Sequence, residues 1–127
     1  MSNSKKVKYQ NIATVLNNLN RRFGIRSEIR EEQPIVIWLG DIDKDRYYIW
    51  FNPKYWLCIY YPSEEKEVRF SPELRVIVYI DWKNDKCFYE FISKEEAERY
   101  KKLFIKNIYK LRVLLYKKWQ EKEKASQ

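Results

Sequence analysis

The chain has no histidine, only two glycines and two cysteines, and no long apolar run. Each shortage removes a class of function. Without histidine there is no Ser-His-Asp triad, no replication-initiator site built on paired histidines, and no histidine-containing zinc or iron centre. Two glycines leave no glycine-rich phosphate loop and predict few left-handed turns. Cys58 and Cys87 lie 29 positions apart, which does not make a zinc knuckle. They read as buried thiols in a reducing compartment, and whether they pair stays open. No segment approaches the ~18 apolar residues of a membrane span, and Met1–Lys6 leads into no apolar leader core. A cytoplasmic protein with no membrane partner is therefore expected.

What is present is aromatic and basic. Tyr, Phe and Trp make up 17% of the 127 residues, enough apolar bulk for the core of a single domain spanning 1–127. Polar stretches at 1–5 and 123–127 read as disordered tails. Net charge is +8, distributed as +4 over residues 1–33, −2 over 34–92 and +6 over 93–127. The positive field thus belongs to the two ends of the chain. Scarce glycine with abundant Lys, Ile, Tyr and Glu is a composition of the kind met in proteins of hyperthermophilic archaea and their viruses and plasmids.

Periodicity divides the chain into two helical ends and a β-rich centre. Tyr9, Ile12, Val15, Leu16, Leu19 and Phe23 share one helical face and predict an amphipathic helix over 6–23, stopped by Gly24. Short alternating or apolar runs predict strands at Ile35–Leu39, Arg46–Phe51, Tyr55–Tyr61, Glu67–Phe70, Leu74–Trp82 and Lys86–Phe91; residues 25–33 alternate weakly. Links this short favour an antiparallel meander of five to six strands. Ser93 and Glu96 have capping-box spacing and open a helix expected to run unbroken to about Lys122. The predicted class is α+β: a meander flanked by an N-terminal amphipathic helix and a long C-terminal helix packed on the sheet. No internal repeat is visible.

The last helix carries the clearest functional signal. Ala97, Tyr100, Phe104, Ile108, Leu111 and Leu115 share the arc expected to meet the sheet. Arg99, Lys102, Lys106, Lys110 and Lys117 lie roughly opposite. Residues 99–118 hold eight basic side chains and no acidic one. Like charges four apart destabilise a helix slightly, so polyanion binding is a candidate compensation. Arg21 and Arg22 are candidate additions to a nucleic-acid footprint. A second apolar stripe, Ile105, Tyr109, Val113 and Tyr116, suits a homodimer or a partner protein. Strands apolar on both faces fit either a doubly covered sheet or an aromatic platform for stacked bases.

Carboxylate chemistry is the remaining catalytic option, and its support is thin. Asp41-Ile42-Asp43 follows a strand, where two carboxylates can hold a divalent cation for phosphoryl transfer. The run resembles a strand end of archaeo-eukaryotic primases in this tripeptide alone; that family's other motifs, its histidine included, are missing. As a calcium loop it lacks the required glycine, since Arg46 stands there. Asp81 and Glu90 sit on neighbouring strands, but Ile92 occupies the place of a nuclease lysine. The expectation is a non-enzymatic, cofactor-free basic binding protein, for nucleic acid without sequence specificity. A protein-interaction or structural module is the alternative, and a metal-dependent nuclease or nucleotidyltransferase using Asp41 and Asp43 a remote one.

Overall fold

The computed structural model describes residues 7–24, 35–39, 47–52 and 56–125, with side chains for 7–24 and 57–125. Asp41, Asp43, residues 25–33, the first five residues and the last two lie outside this set. The elements are α1 (Ile12–Phe23), β1 (Ile35–Leu39), β2 (Tyr47–Asn52), β3 (Trp56–Tyr61), β4 (Lys66–Ser71), β5 (Val76–Asp81), β6 (Lys86–Phe91), α2 (Lys94–Lys106) and α3 (Ile108–Ala125). The strands follow one another across a single antiparallel sheet in chain order. The block β3–β6 carries the described core; β1 and β2 continue it beyond β3 and are described by backbone alone.

Three links of the same length set the register of this block. Strands begin at Lys66, Val76 and Lys86, ten residues apart. The residue before each, Glu65, Arg75 and Asp85, is left-handed, with φ near +50°. Few left-handed turns were expected from two glycines, yet non-glycine residues adopt them here. Two of the turns are held by the last residue of the preceding strand. Ser71 Oγ accepts from the Leu74 amide at 3.2 Å, and Asp81 Oδ1 from the Asn84 amide at 3.2 Å. Such side chains imitate a backbone turn and offset the steric cost of the left-handed residue.

Alternation along the strands then gives the sheet two apolar faces. On one, Cys58, Val76, Val78, Ile80 and Cys87 pack against Ile12, Val15 and Leu19 of α1. On the other, Ile59, Tyr61, Val68, Phe70, Ile77, Tyr79 and Phe88 pack against Ala97, Tyr100, Leu111, Leu115 and Trp119. The result is a three-layer arrangement: α1, sheet, then α2 with α3. Both cysteines are free and buried.

The N-terminal helix is shorter than its periodicity suggests. Asn11 caps it, its side chain accepting from the Thr14 amide at 2.8 Å. Before the cap the chain is extended, and Gln10 exchanges two backbone hydrogen bonds with Cys87 of β6, at 2.9 and 2.7 Å. Tyr9 therefore joins the opposite sheet face from Ile12, stacking edge-on against Phe88. Its hydroxyl takes the Trp119 indole N–H at 3.0 Å and donates to Glu123. Glu123 is thus anchored, and α3 stays helical to Ala125, past the tail boundary expected at residue 123.

The long C-terminal helix is two helices. Ser93 caps the first as its spacing predicts, accepting from the Glu96 amide at 3.1 Å. Asn107 ends it, with φ −154° and ψ 81°, its N–H still donating to Leu103 at 2.8 Å. The same residue starts α3: its side-chain oxygen accepts from the Lys110 amide at 3.2 Å, and its carbonyl from the Leu111 amide at 3.2 Å. Asparagine competes well for nearby backbone groups, so it can break a helix containing neither proline nor glycine.

Candidate nucleic-acid interface

The break at Asn107 means that the cations do not form one uninterrupted helical strip. They are divided between two helices. Arg99, Lys102 and Lys106 lie within a narrow arc of α2, and Lys110 and Lys117 lie close together on α3, at 100° per residue. All five are exposed, as is Lys101. Arg99 leans over the Tyr100 ring at 5.3 Å. Lys102, Lys106, Lys110 and Lys117 make no ion pair among the described residues.

Two of the eight basic residues in the segment are turned inward. Lys118 Nζ lies 3.2 Å from Glu90 and 3.8 Å from Glu96, and Lys122, just beyond the segment, also pairs with Glu90. Burial lowers the Lys118 pKa, but Glu90, Tyr100 and Glu96 together outweigh it and the net direction is upward. The Arg112 guanidinium lies over the Tyr61 ring at 4.9 Å. These serve to join α3 to the sheet, which leaves six cations facing outward.

The second apolar stripe divides as well. Ile105 on α2 is 74% exposed; Tyr109 and Val113 on α3 are 55% and 61% exposed. Tyr116, expected on the same stripe, packs on Tyr61 with ring centroids 5.2 Å apart and donates its hydroxyl to Glu64. Burial, with the Glu64 bond and charge, pushes its pKa up to about 12. Beside Val113, a cleft of about 410 Å³ opens between Tyr61, Glu64, Arg112, Tyr116 and Lys117. Ile105, flanked by Lys101 and Lys102, and Tyr109 and Val113, flanked by Lys110 and Lys117, thus make a mixed cationic and apolar surface around the bend.

Arg21 and Arg22 do not join that surface. They sit on α1, across the sheet from α2 and α3, because successive strand residues point to opposite faces. The Arg22 guanidinium lies over the Phe91 ring at 4.7 Å. Tyr61, Phe70, Tyr79 and Phe88 are core residues and offer no stacking platform, while Tyr89 and Phe91 of β6 stay partly exposed, away from the α2–α3 surface. Three side chains that matter to this region were not apparent from sequence: Asn107, Glu90, and Glu64. Asparagine in an otherwise helical pattern was the one available signal; Glu90 meets Lys118 and Lys122, and Glu64 meets the Tyr116 hydroxyl, only through the tertiary fold.

Among the described residues no group of three metal-ligating side chains converges, and no helix is long and apolar enough to cross a membrane. Compared with known proteins, the chain matches no family model, no curated protein and no solved structure.

Proposed function

We propose that this chain is a non-enzymatic binding protein that takes nucleic acid on the outer surface of α2 and α3, without sequence specificity. The supporting observation is the uncompensated charge: six exposed cations over residues 99–118, with no acidic residue between them. Phosphates neutralised by Lys and Arg release counterions, which provides affinity without base reading. Arg99, Lys102, Lys106, Lys110 and Lys117 are assigned phosphate contacts, and Tyr109 offers a ring on which an unpaired base can stack. Arg21 and Arg22 are left out of this footprint by their position. The free thiols suit a reducing compartment such as the cytoplasm.

The test is anisotropy of labelled single-stranded and duplex DNA and RNA at about 50 mM and about 200 mM salt. Binding should weaken steeply with salt, and replacing Lys102, Lys106, Lys110 and Lys117 with Gln should lower the log–log slope by roughly 3. No binding at the lower salt sinks the proposal.

A second reading, self-association or a protein partner, is favoured by one observation: the strong exposure of Ile105, Tyr109 and Val113. Light scattering on wild type and the Ile105→Glu/Val113→Glu variant separates the two. A homodimer through this stripe gives a doubled mass that the variant halves; a monomeric wild type removes self-association.

A further inference from the structure

We infer that the open edge of β6 is a docking site for an extended, acidic peptide segment, which would add to the sheet as a further strand. The register identifies the groups available. Cys87 turns its N–H and C=O outward, toward Gln10. Outward and inward backbone bonding alternate along an antiparallel strand, so Phe88 and Glu90 face β5 while Tyr89 and Phe91 face away from it. The Ile92 amide, returning to Arg75 at 2.9 Å, agrees with this alternation. Among the described residues, Gln10 is the only residue bridging this edge. Residues 7–9 form no bridge to the strand, and the outward groups of Tyr89 and Phe91 meet no described backbone partner.

A groove of about 550 Å³ opens at that point. Val15 of α1 lines one part of it, Lys122 of α3 another, and Val7 and Lys8 a third, with β6 as the floor. Donors and acceptors at strand spacing fit another extended backbone, and side chains at alternate positions would reach the two flanking helices. Phe91 is 47% exposed and offers an apolar contact. The charge preference follows from two cations at the groove. Lys8 lines it, and Arg22 lies over the ring of Phe91, which also lines it; neither meets a carboxylate among the described residues. The one carboxylate lining the groove, Glu90, is held by Lys118 and Lys122. This inference is independent of the nucleic-acid reading, which concerns the outer surface of α2 and α3.

The experiment is amide hydrogen exchange by NMR on the full chain, with and without a synthetic capped peptide alternating valine and glutamate at millimolar concentration. In the free chain the Tyr89 and Phe91 amides should exchange freely, while Phe88 and Glu90 are protected. The peptide should slow Tyr89 and Phe91 by about tenfold or more. N-methylating alternate peptide bonds, or replacing glutamate with lysine, should abolish the effect. Tyr89→Pro removes an outward N–H that β5 does not use, so it should fold and lose the peptide. If that variant does not fold, the N-methylated peptides on wild type decide alone. The inference is overturned by any of four results: amides already protected in the free chain, no protection by the peptide, equal binding of the N-methylated peptide, or a doubled native mass that Tyr89→Pro abolishes.

Discussion

The two faces of the β3–β6 block are both covered, but by different means. The α1 side is built from small aliphatic side chains and two thiols under a single twelve-residue helix. The α2–α3 side is aromatic: Tyr79 and Phe88 stack at 4.5 Å, Trp119 meets both edge-on, and Phe70 meets Tyr100 edge-on. Apolar residues on both sides of a sheet therefore reflect two internal layers, and say nothing by themselves about a ligand. Among the described residues, the outer surface of the helices and the sheet edge remain available for function. Those outer surfaces differ too. That of α1 carries exposed Asn17 and Asn18 with two arginines at its end, whereas α2 and α3 present cations with exposed apolar side chains between them.

The largest expected effect tests the packing half of this comparison. Trp119→Ala should cost about 3–5 kcal/mol, since it empties the centre of the aromatic layer and strips a partner from the Tyr9 hydroxyl. Leu19→Ala on the other side should cost about 2–4 kcal/mol. Urea denaturation of the two variants measures the difference. If Leu19→Ala proves the more damaging, the aromatic layer is not the dominant core.

The charge half is tested by setting Arg21→Gln/Arg22→Gln against the four-lysine variant. If nucleic acid docks on α2 and α3, the α1 pair should leave affinity within about twofold, through the overall field alone. An equal loss from both variants would mean that binding follows net charge and not a surface.

Alkaline pH sharpens the same contrast. Burial raises the pKa of Tyr61 and Tyr79 on the aromatic side, and of Tyr9, whose bond to Glu123 adds to it. On the α1 side burial raises Cys58 and pushes Cys87 up to about 12. A folded pKa above the unfolded one means that the native state holds the proton more tightly. Stability is then complete below the unfolded values, 9.0 for the thiols and 10.0 for the tyrosines, and is lost as pH rises through the folded ones. Thermal melts from about pH 8 to 11 should show a falling midpoint. Cys58→Ala/Cys87→Ala should remove the part of the fall that begins near the thiol value of 9.0 and leave the part that begins near 10.0, because the tyrosines remain.

Local rules carried much of the fold. Alternation located the four strands β3–β6, Ile12, Val15 and Leu19 marked the buried face of α1, and Ser93 with Glu96 marked the start of α2. The features that escaped depend on groups distant in sequence or on local competition. Tyr9 matches the α1 periodicity, yet Trp119 and Phe88 draw it to the other face. Lys118 looks like a surface cation until β6 brings Glu90 beneath it. Of the candidate site, the exposed cations of α2 and α3 and the stripe Ile105, Tyr109 and Val113 were legible, because exposure on a helix follows from its period. That Tyr116 turns inward, and that Arg21 and Arg22 lie across the sheet, required the tertiary arrangement.

The smallest expected effect concerns the bend between the two helices. Asn107 closes α2 through its N–H and opens α3 through its side chain, so Asn107→Ala removes a cap and should cost about 1 kcal/mol. Alanine also favours helix, and it would encourage α2 and α3 to merge. Merging would shift the α2 cations relative to Lys110 and Lys117. If the nucleic-acid surface depends on the bend, Asn107→Ala should alter affinity more than its modest stability cost implies; a variant that binds unchanged while losing about 1 kcal/mol would limit Asn107 to a capping role.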